Sequence, residues 1–323
     1  MLASVLPVVL HGLSNPDLSV ACVSALKRIC RECRQDLHLH ANDIMAVSQA
    51  VLVKDIHKSP QCMWIMQALG FLLSALPRDE ILGKLLSLVT PHIQQLEKLA
   101  NEPVRNSRAL VHIFGCEKDL FSPIIALLEL ITNITMSIFH LGSRDHPDVV
   151  ESFMQLHTQV LRRKADLYLS DRLDIKAVFY CGILSFKCPE TPTLKATCLL
   201  FTELISHCED IPAVREVLQE DGKLLLQTLL EAIGGQSPRS LAEHFAEVLF
   251  SVSRNCPSML SVWLREALLP PGFPSSHLTT EHKEHFCQQI LREQVSKRRM
   301  KDIVKEFALL SRGLQGTEYA ANY

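Results

Sequence analysis

Six prolines, Pro16, Pro60, Pro103, Pro147, Pro192 and Pro238, stand 43 to 46 residues apart along the chain. Proline suits the first turn of a helix, where the N–H it lacks would have no partner and its fixed φ is already helical. Asn15, Ser59, Thr191 and Ser237 precede four of them. Such residues can accept a hydrogen bond from an early helix N–H. The spacing therefore predicts a helix that restarts at a constant interval.

A helical period of about 40 to 47 residues is that of HEAT and armadillo repeats. The expected fold is all-α, an α-solenoid of HEAT-type antiparallel helix pairs in which each pair touches only its neighbours. The apolar pattern agrees. Leu18, Val20, Val23, Leu26 and Ile29 mark one helical face, and QCMWIMQALGFLLSAL is apolar nearly all round, as a helix with neighbours on several sides would be. Arg78 to Glu102 reads as a helix pair broken at Thr90-Pro91. Residues 1–274 form the expected array of about six repeats. Residues 275–312 are expected to be charged capping helices over Trp263 and Leu264, with Val295, Ile303, Val304 and Phe307 as the covering side. Gly313 and Gly316 end that stretch, and 313–323 is expected to be a flexible tail.

Net charge of −2 gives no global field to draw in DNA, RNA or anionic lipid, so no nucleic acid partner is expected. Eleven cysteines, an odd number at irregular spacing, imply reduced thiols and not a disulfide framework. The opening MLASVLPVVLHGLSNPD has no Lys or Arg before its apolar run and reads as a helix, not a secretory signal. The apolar runs around Cys62–Leu76 and Pro123–Leu141 are interrupted by polar residues, so buried helices are expected and no membrane insertion.

Chemistry is sparsely signalled. Cys30 and Cys33, followed by His38 and His40, have two-residue Cys spacing but not the remainder of a zinc finger or ribbon, so no metal is expected there. His282 and His285, with Glu281 and Glu284, lack the HExxH order and read as a charged surface. Lys297, Arg298, Arg299, Lys301 and Lys305 form the marked basic cluster, read as the solvated face of the last helices. Trp64 and Trp263 read as core. No phosphate-binding loop or nucleophile elbow occurs, so no cofactor, no catalytic residue and no enzymatic activity are expected.

The stretches QCMWIMQALGFLLSAL, IQQLEKLA, RDHPDVVESFMQL, QEDGKLLLQTLLEAIGGQSPRSL, SVWLREALLPPGFPSSHL and LREQVSKRRMKDIVKEFALLSRGLQGTEYAANY resemble the karyopherin-β (importin-β) family of nuclear transport receptors. That resemblance implies a superhelix of HEAT repeats that binds protein cargo for Ran-dependent transport between cytoplasm and nucleus. It also implies the Ran GTPase and nucleoporin Phe-Gly repeats as partners. The family's N-terminal repeats, with the principal Ran-GTP contact, have no counterpart in this sequence. About three further repeats are skipped at a junction near residues 101–108. The contact residues for cargo and Ran are not assigned by the resemblance. The proline period alone fits equally a HEAT scaffold that assembles a multiprotein complex.

Overall fold

The computed structural model describes residues 2–54, 57, 59–101, 121–142 and 146–317. These residues are all-α, with no strand among them. They divide into two compact units, 1–135 and 136–323. The expected junction near 101–108 falls largely on residues outside the described ones, as do Pro103 and the last six residues of the tail.

The first unit contains α1 (Leu2–Gly12), α2 (Ser19–Glu32), α3 (Ala41–Val53), α4 (Ser59–Leu73) and α5 (Arg78–Asn101). Helices α2 and α4 pack side by side in one row, and α1, α3 and α5 follow one another in a second. The rows are tied at their turns, where the buried His57 Nε2 lies 2.8 Å from the Leu13 carbonyl. Lys84 of α5 reaches Asn42 of α3. The face of α2 differs from the expected one. Its buried residues are Ser19, Val23, Leu26 and Cys30, whereas Leu18 and Val20 are about half exposed. A spacing of four and three, not a run including Leu18 and Val20, meets α4. Helix α5 also corrects the sequence reading, because the chain stays helical through Pro91. The missing N–H removes one rung, and the Thr90 hydroxyl donates to the Leu86 carbonyl at the same point (2.7 Å).

Helix α6 (Phe121–Gly142) crosses the division between the units, and its last turns belong to the second. There Phe139 meets Phe153 of α7 (Pro147–Lys164) edge to face. The second unit continues with α8 (Ile175–Ser185), α9 (Thr191–Ser206), α10 (Pro212–Glu231), α11 (Ala242–Asn255) and α12 (Pro257–Leu268). Helices α7, α9 and α11 form one row, and α8, α10 and α12 the other. The first row runs in parallel. Thr193 at the start of α9 donates to the Pro147 carbonyl at the start of α7, and Arg162 and Glu203 pair near the far ends.

Within each unit the proline period marks one row, α2 and α4 in the first and α7, α9 and α11 in the second. Pro147 is the first residue of α7, Pro192 the second of α9 and Pro60 the second of α4, while Pro16 and Pro238 stand in the turns just before α2 and α11. The expected caps are mostly absent. Asn15 Oδ1 does accept from the Asp17 N–H (3.0 Å), but α7, α9 and α11 have no side-chain cap. Thr191 is already inside α9, and a short 3-10 turn separates Ser237 from α11. The side-chain caps that do form are Asp174 on α8, Thr279 on α13 (Thr280–Arg292) and Ser296 on α14 (Lys297–Ser311), none followed by proline.

The final pair is inverted. After α12 the chain does not return to the first row, as it does after α8 and α10. Helix α13 packs on α12, and α14 then packs along α11. The polarity reverses with the order. Early in α14, Lys297 lies over the Phe250 ring late in α11, while Lys305, late in α14, bonds Glu243 at the start of α11. Two cations satisfy the carbonyls that this inversion leaves. Lys283 is only 7% exposed, and its Nζ donates to the Leu268 and Pro270 carbonyls at the end of α12 (3.1 and 2.8 Å). Burial holds its pKa below the ordinary lysine value. Arg312 donates to the carbonyls of Ala232, Ile233 and Ser237 in the turn before α11.

The covering side of this pair is Met300, Ile303, Val304, Phe307 and Ala308, joined by Phe286, whose ring stacks on Phe307 at 3.8 Å. Val295 is 91% exposed and takes no part in it. Trp263 packs against Gly222 of α10, where a Cβ would overlap the indole ring. Helix α14 ends as the glycines predict. Gly313 has φ +65°, its N–H bonds the Leu310 carbonyl and the Leu314 N–H bonds that of Leu309, a Schellman closure.

Candidate protein-binding array

A stack of helix pairs offers its outward helix faces and the charged groups between them. On the second row, Lys176 of α8 pairs with Glu220 of α10 (2.5 Å), and Lys223 of α10 pairs with Glu266 of α12 (2.6 Å). These are lateral rungs between successive repeats. All four side chains are substantially exposed, so each rung is worth little in water and stays available to exchange partners. On the first row, Arg162 and Glu203 make the equivalent rung, with His207 beside Glu203.

The basic cluster divides in two. Lys301 bonds Glu243 and Glu247, and Lys305 bonds Glu243, which holds that carboxyl below its ordinary pKa. These lysines fix α14 on α11. Arg298 and Arg299 remain exposed. The expectation of a wholly solvated basic face thus holds for the arginines and fails for the two lysines, whose partners lie far away in sequence on α11.

Cys30 is buried at the end of α2 and Cys33 half-buried at its C-cap, whereas His38 is exposed and His40 half-buried in the following 3-10 segment Arg34–His40. Burial, with Cys33 nearby, pushes the Cys30 thiol up to about 12, which works against the thiolate a metal needs. No group of His, Cys, Asp and Glu among the described residues is placed to hold a metal ion. We expect purified chain to retain no stoichiometric zinc; zinc lost specifically in Cys30→Ser would overturn this. His282, flagged in the sequence for its neighbours, closes the start of α13. Its Nδ1 accepts from the Thr279 N–H while its own backbone N–H bonds the Thr279 hydroxyl, a capping box. His285, Glu281 and Glu284 are exposed.

One buried polar pair escaped the sequence reading. His157 on α7 and Tyr168 in the turn after it are both inside the core, with His157 Nδ1 2.6 Å from the tyrosine oxygen. Phe153 lies against the imidazole at 4.4 Å. Burial lowers the His157 pKa from 6.5 to about 3 and raises that of Tyr168. The unfolded chain therefore binds a proton that the folded chain refuses between about pH 6.5 and 3, so stability falls as pH drops through this window. Denaturation midpoints measured from pH 7.5 to 4.5 should fall with acidity, and His157→Gln should flatten that fall. An unchanged slope in the variant would assign the acid sensitivity elsewhere. Tyr168→Phe, which leaves the buried imidazole without this partner, should destabilise by about 1–3 kcal/mol at neutral pH.

The groups shifted most strongly, Cys30, Cys181, Cys198, Cys256, His157 and Tyr168, are all displaced first by burial. Their chemistry is that of a core. The fold defines a class: a HEAT-type array of stacked helix pairs with charged side chains exposed along its outer faces.

Comparison with known proteins makes this particular. Two family models described as "Importin 13 repeat" match residues 59–102 and 186–260. Importin-13 of Mus musculus and of Homo sapiens are each 44% identical over 438 aligned positions, which cover 100% of this chain and 46% of the relative. Importin-13 homolog A of Dictyostelium discoideum is 28% identical over 182 positions, covering 52% of this chain and 17% of that protein. Among solved structures, "Importin13 cytosolic state" matches with a TM-score of 0.53 at 16% identity, covering 95% of this chain and 47% of that one, and shows the shared fold. The chain is similar to importin-13 along its whole length, and it spans about half the length of the relatives it matches. The 438 aligned positions hold only 323 residues of this chain, so the relatives contain internal sequence without a counterpart here. The shortfall is on the order of three repeats, as the resemblance implied.

Proposed function

We propose that this chain is the protein-binding part of a nuclear transport receptor, holding folded cargo on its helix array for Ran-dependent transport. The observation that carries this reading is the 44% identity to importin-13 across the entire chain, together with the two-row stack that such binding requires. Recognition is by shape and by dispersed charge. Exposed Lys–Glu rungs of both signs and a net charge of −2 suit individual cargo surfaces better than a generic basic signal. The same reading takes Phe-Gly segments of nucleoporins as partners, with passage between cytoplasm and nucleus, and assigns no catalytic step.

Affinity capture from cell extract, with and without added Ran-GTP, tests the proposal. Partners whose retention changes with Ran-GTP, and accumulation of labelled chain at the nuclear rim of permeabilised cells, are the expected results. A constant set of kinase or phosphatase subunits indifferent to Ran-GTP would instead establish a complex-assembling scaffold, the reading that the relatives do not favour.

A further inference from the structure

Cys208 follows α9 and Cys256 follows α11, so the two thiols occupy equivalent ends of neighbouring helices in one row. Their sulfurs are 3.6 Å apart, with the Cys256 thiol donating to Cys208 Sγ. Cys208 Sγ also lies 3.6 Å from the Asn255 carbonyl, which holds it toward its partner. Both residues are free thiols 2% exposed. Two sulfurs in mutual contact are placed to close to a disulfide, whose S–S bond is about 2.05 Å. Ordinary core packing does not call for this, since a buried cysteine acts as a small apolar group and has no need of a second thiol.

The pair is also chemically unequal. Burial raises both thiols, and Cys256 reaches about 12. At Cys208 the upward push is opposed by the hydrogen bond received from Cys256 and by Arg215, whose Nε donates to the Cys208 carbonyl (3.2 Å). Glu209, paired with Arg215 at 2.7 Å, outweighs that guanidinium's effect, so the hydrogen bond from Cys256 is what sets the two thiols apart. Cys208 is therefore the thiol that ionises first, and Cys256 is the one placed to resolve it.

We propose that Cys208 and Cys256 are an oxidisable dithiol that closes to a disulfide between adjacent repeats, with hydrogen peroxide as the oxidant. The Cys208 thiolate attacks one peroxide oxygen. The O–O bond breaks, Cys208 becomes a sulfenic acid, and the departing hydroxide leaves as water after taking a proton. The Cys256 sulfur then displaces the sulfenic hydroxyl, which leaves as a second water with the Cys256 proton, and the S–S bond forms. Two thiols are oxidised and one peroxide is reduced. The link joins the far ends of α9 and α11 and fixes their separation at that edge of the row.

Purified folded chain is treated with hydrogen peroxide, its free thiols are alkylated, and tryptic peptides are mapped without reduction. The expected product is a monomer that has lost two titratable thiols and yields a peptide joining residues 196–215 to residues 255–265, reversed by dithiothreitol. Fragmentation must place the link on Cys208 and not on Cys198, which shares the first peptide. Cys256→Ser should instead accumulate a dimedone-trapped sulfenic acid at Cys208, whereas Cys208→Ser should form neither link nor adduct. Loss of thiols elsewhere with Cys208 and Cys256 both alkylated, or a link from Cys256 to any other cysteine, would overturn the proposal.

Discussion

Removal of residues 275–323 should lower the melting temperature of the chain by roughly 10 °C or more and move much of it into the insoluble fraction. The inverted pair α13 and α14 buries Phe286, Ile290, Met300, Ile303, Val304 and Phe307. Each large apolar side chain is worth about 1.5–3 kcal/mol when buried, and part of that sum is offset by the ordering of the pair itself. A net loss of about 3–5 kcal/mol would produce the stated shift at roughly 2–4 °C per kcal/mol. The deletion also uncovers the sides of α11 and α12 against which the pair lies, an apolar surface that invites association. Phe307→Ala supplies a test that keeps the chain at full length. It removes one member of the 3.8 Å ring stack and should cost about 3–5 kcal/mol with the chain otherwise intact. Melting curves for both variants that superpose on the parent would show that the pair has no capping role.

The second large effect is expected at Gly222. A side chain there enters the space filled by the Trp263 ring, and the helix backbone of α10 cannot retreat without losing its own packing. Gly222→Val should destabilise by about 2–3 kcal/mol, near the upper end of overpacking costs. Because the cause is a collision between two residues, the effect should not add. Trp263→Leu costs stability alone, yet Gly222→Val in its presence should lose most of its penalty, a coupling of about 1–2 kcal/mol in a double-mutant cycle. Additive costs would place the strain of Gly222→Val somewhere other than the indole.

Much of the fold was legible because the prolines mark one row of helices. A helix start is a local event, and Pro147, Pro192 and Pro60 act through their own φ and missing N–H. Gly313 was legible for the same reason. What stayed hidden is set by neighbours remote in the chain. The exposure of Leu18 and Val20 depends on where α4 lies, and the continuation of α5 through Pro91 shows a local breaker overruled within a long helix. The contact of Trp263 with Gly222 stayed hidden too, because nothing near residue 263 points to a glycine on α10. Lys283 and the His157–Tyr168 pair look like ordinary polar residues until the carbonyls and rings around them are seen. The binding surface is the least legible part, since contacts spread over many exposed side chains leave no fixed motif of the kind catalysis requires.

The reversed direction of α13 and α14 bears on how such a chain can lengthen or shorten over evolution. A duplicated unit inserted between existing ones finds the same helix direction on each side and can be accommodated as one more layer. A unit appended after α14 would meet a neighbour pointing the wrong way in both rows, and its side-chain ridges would not find the grooves they fit elsewhere. Gain or loss of whole units is therefore channelled into the interior, upstream of Leu269. The importin-13 relatives contain internal sequence that this chain lacks. The inverted hairpin disfavours a further unit on its outer side, while the number of units before it is free to drift.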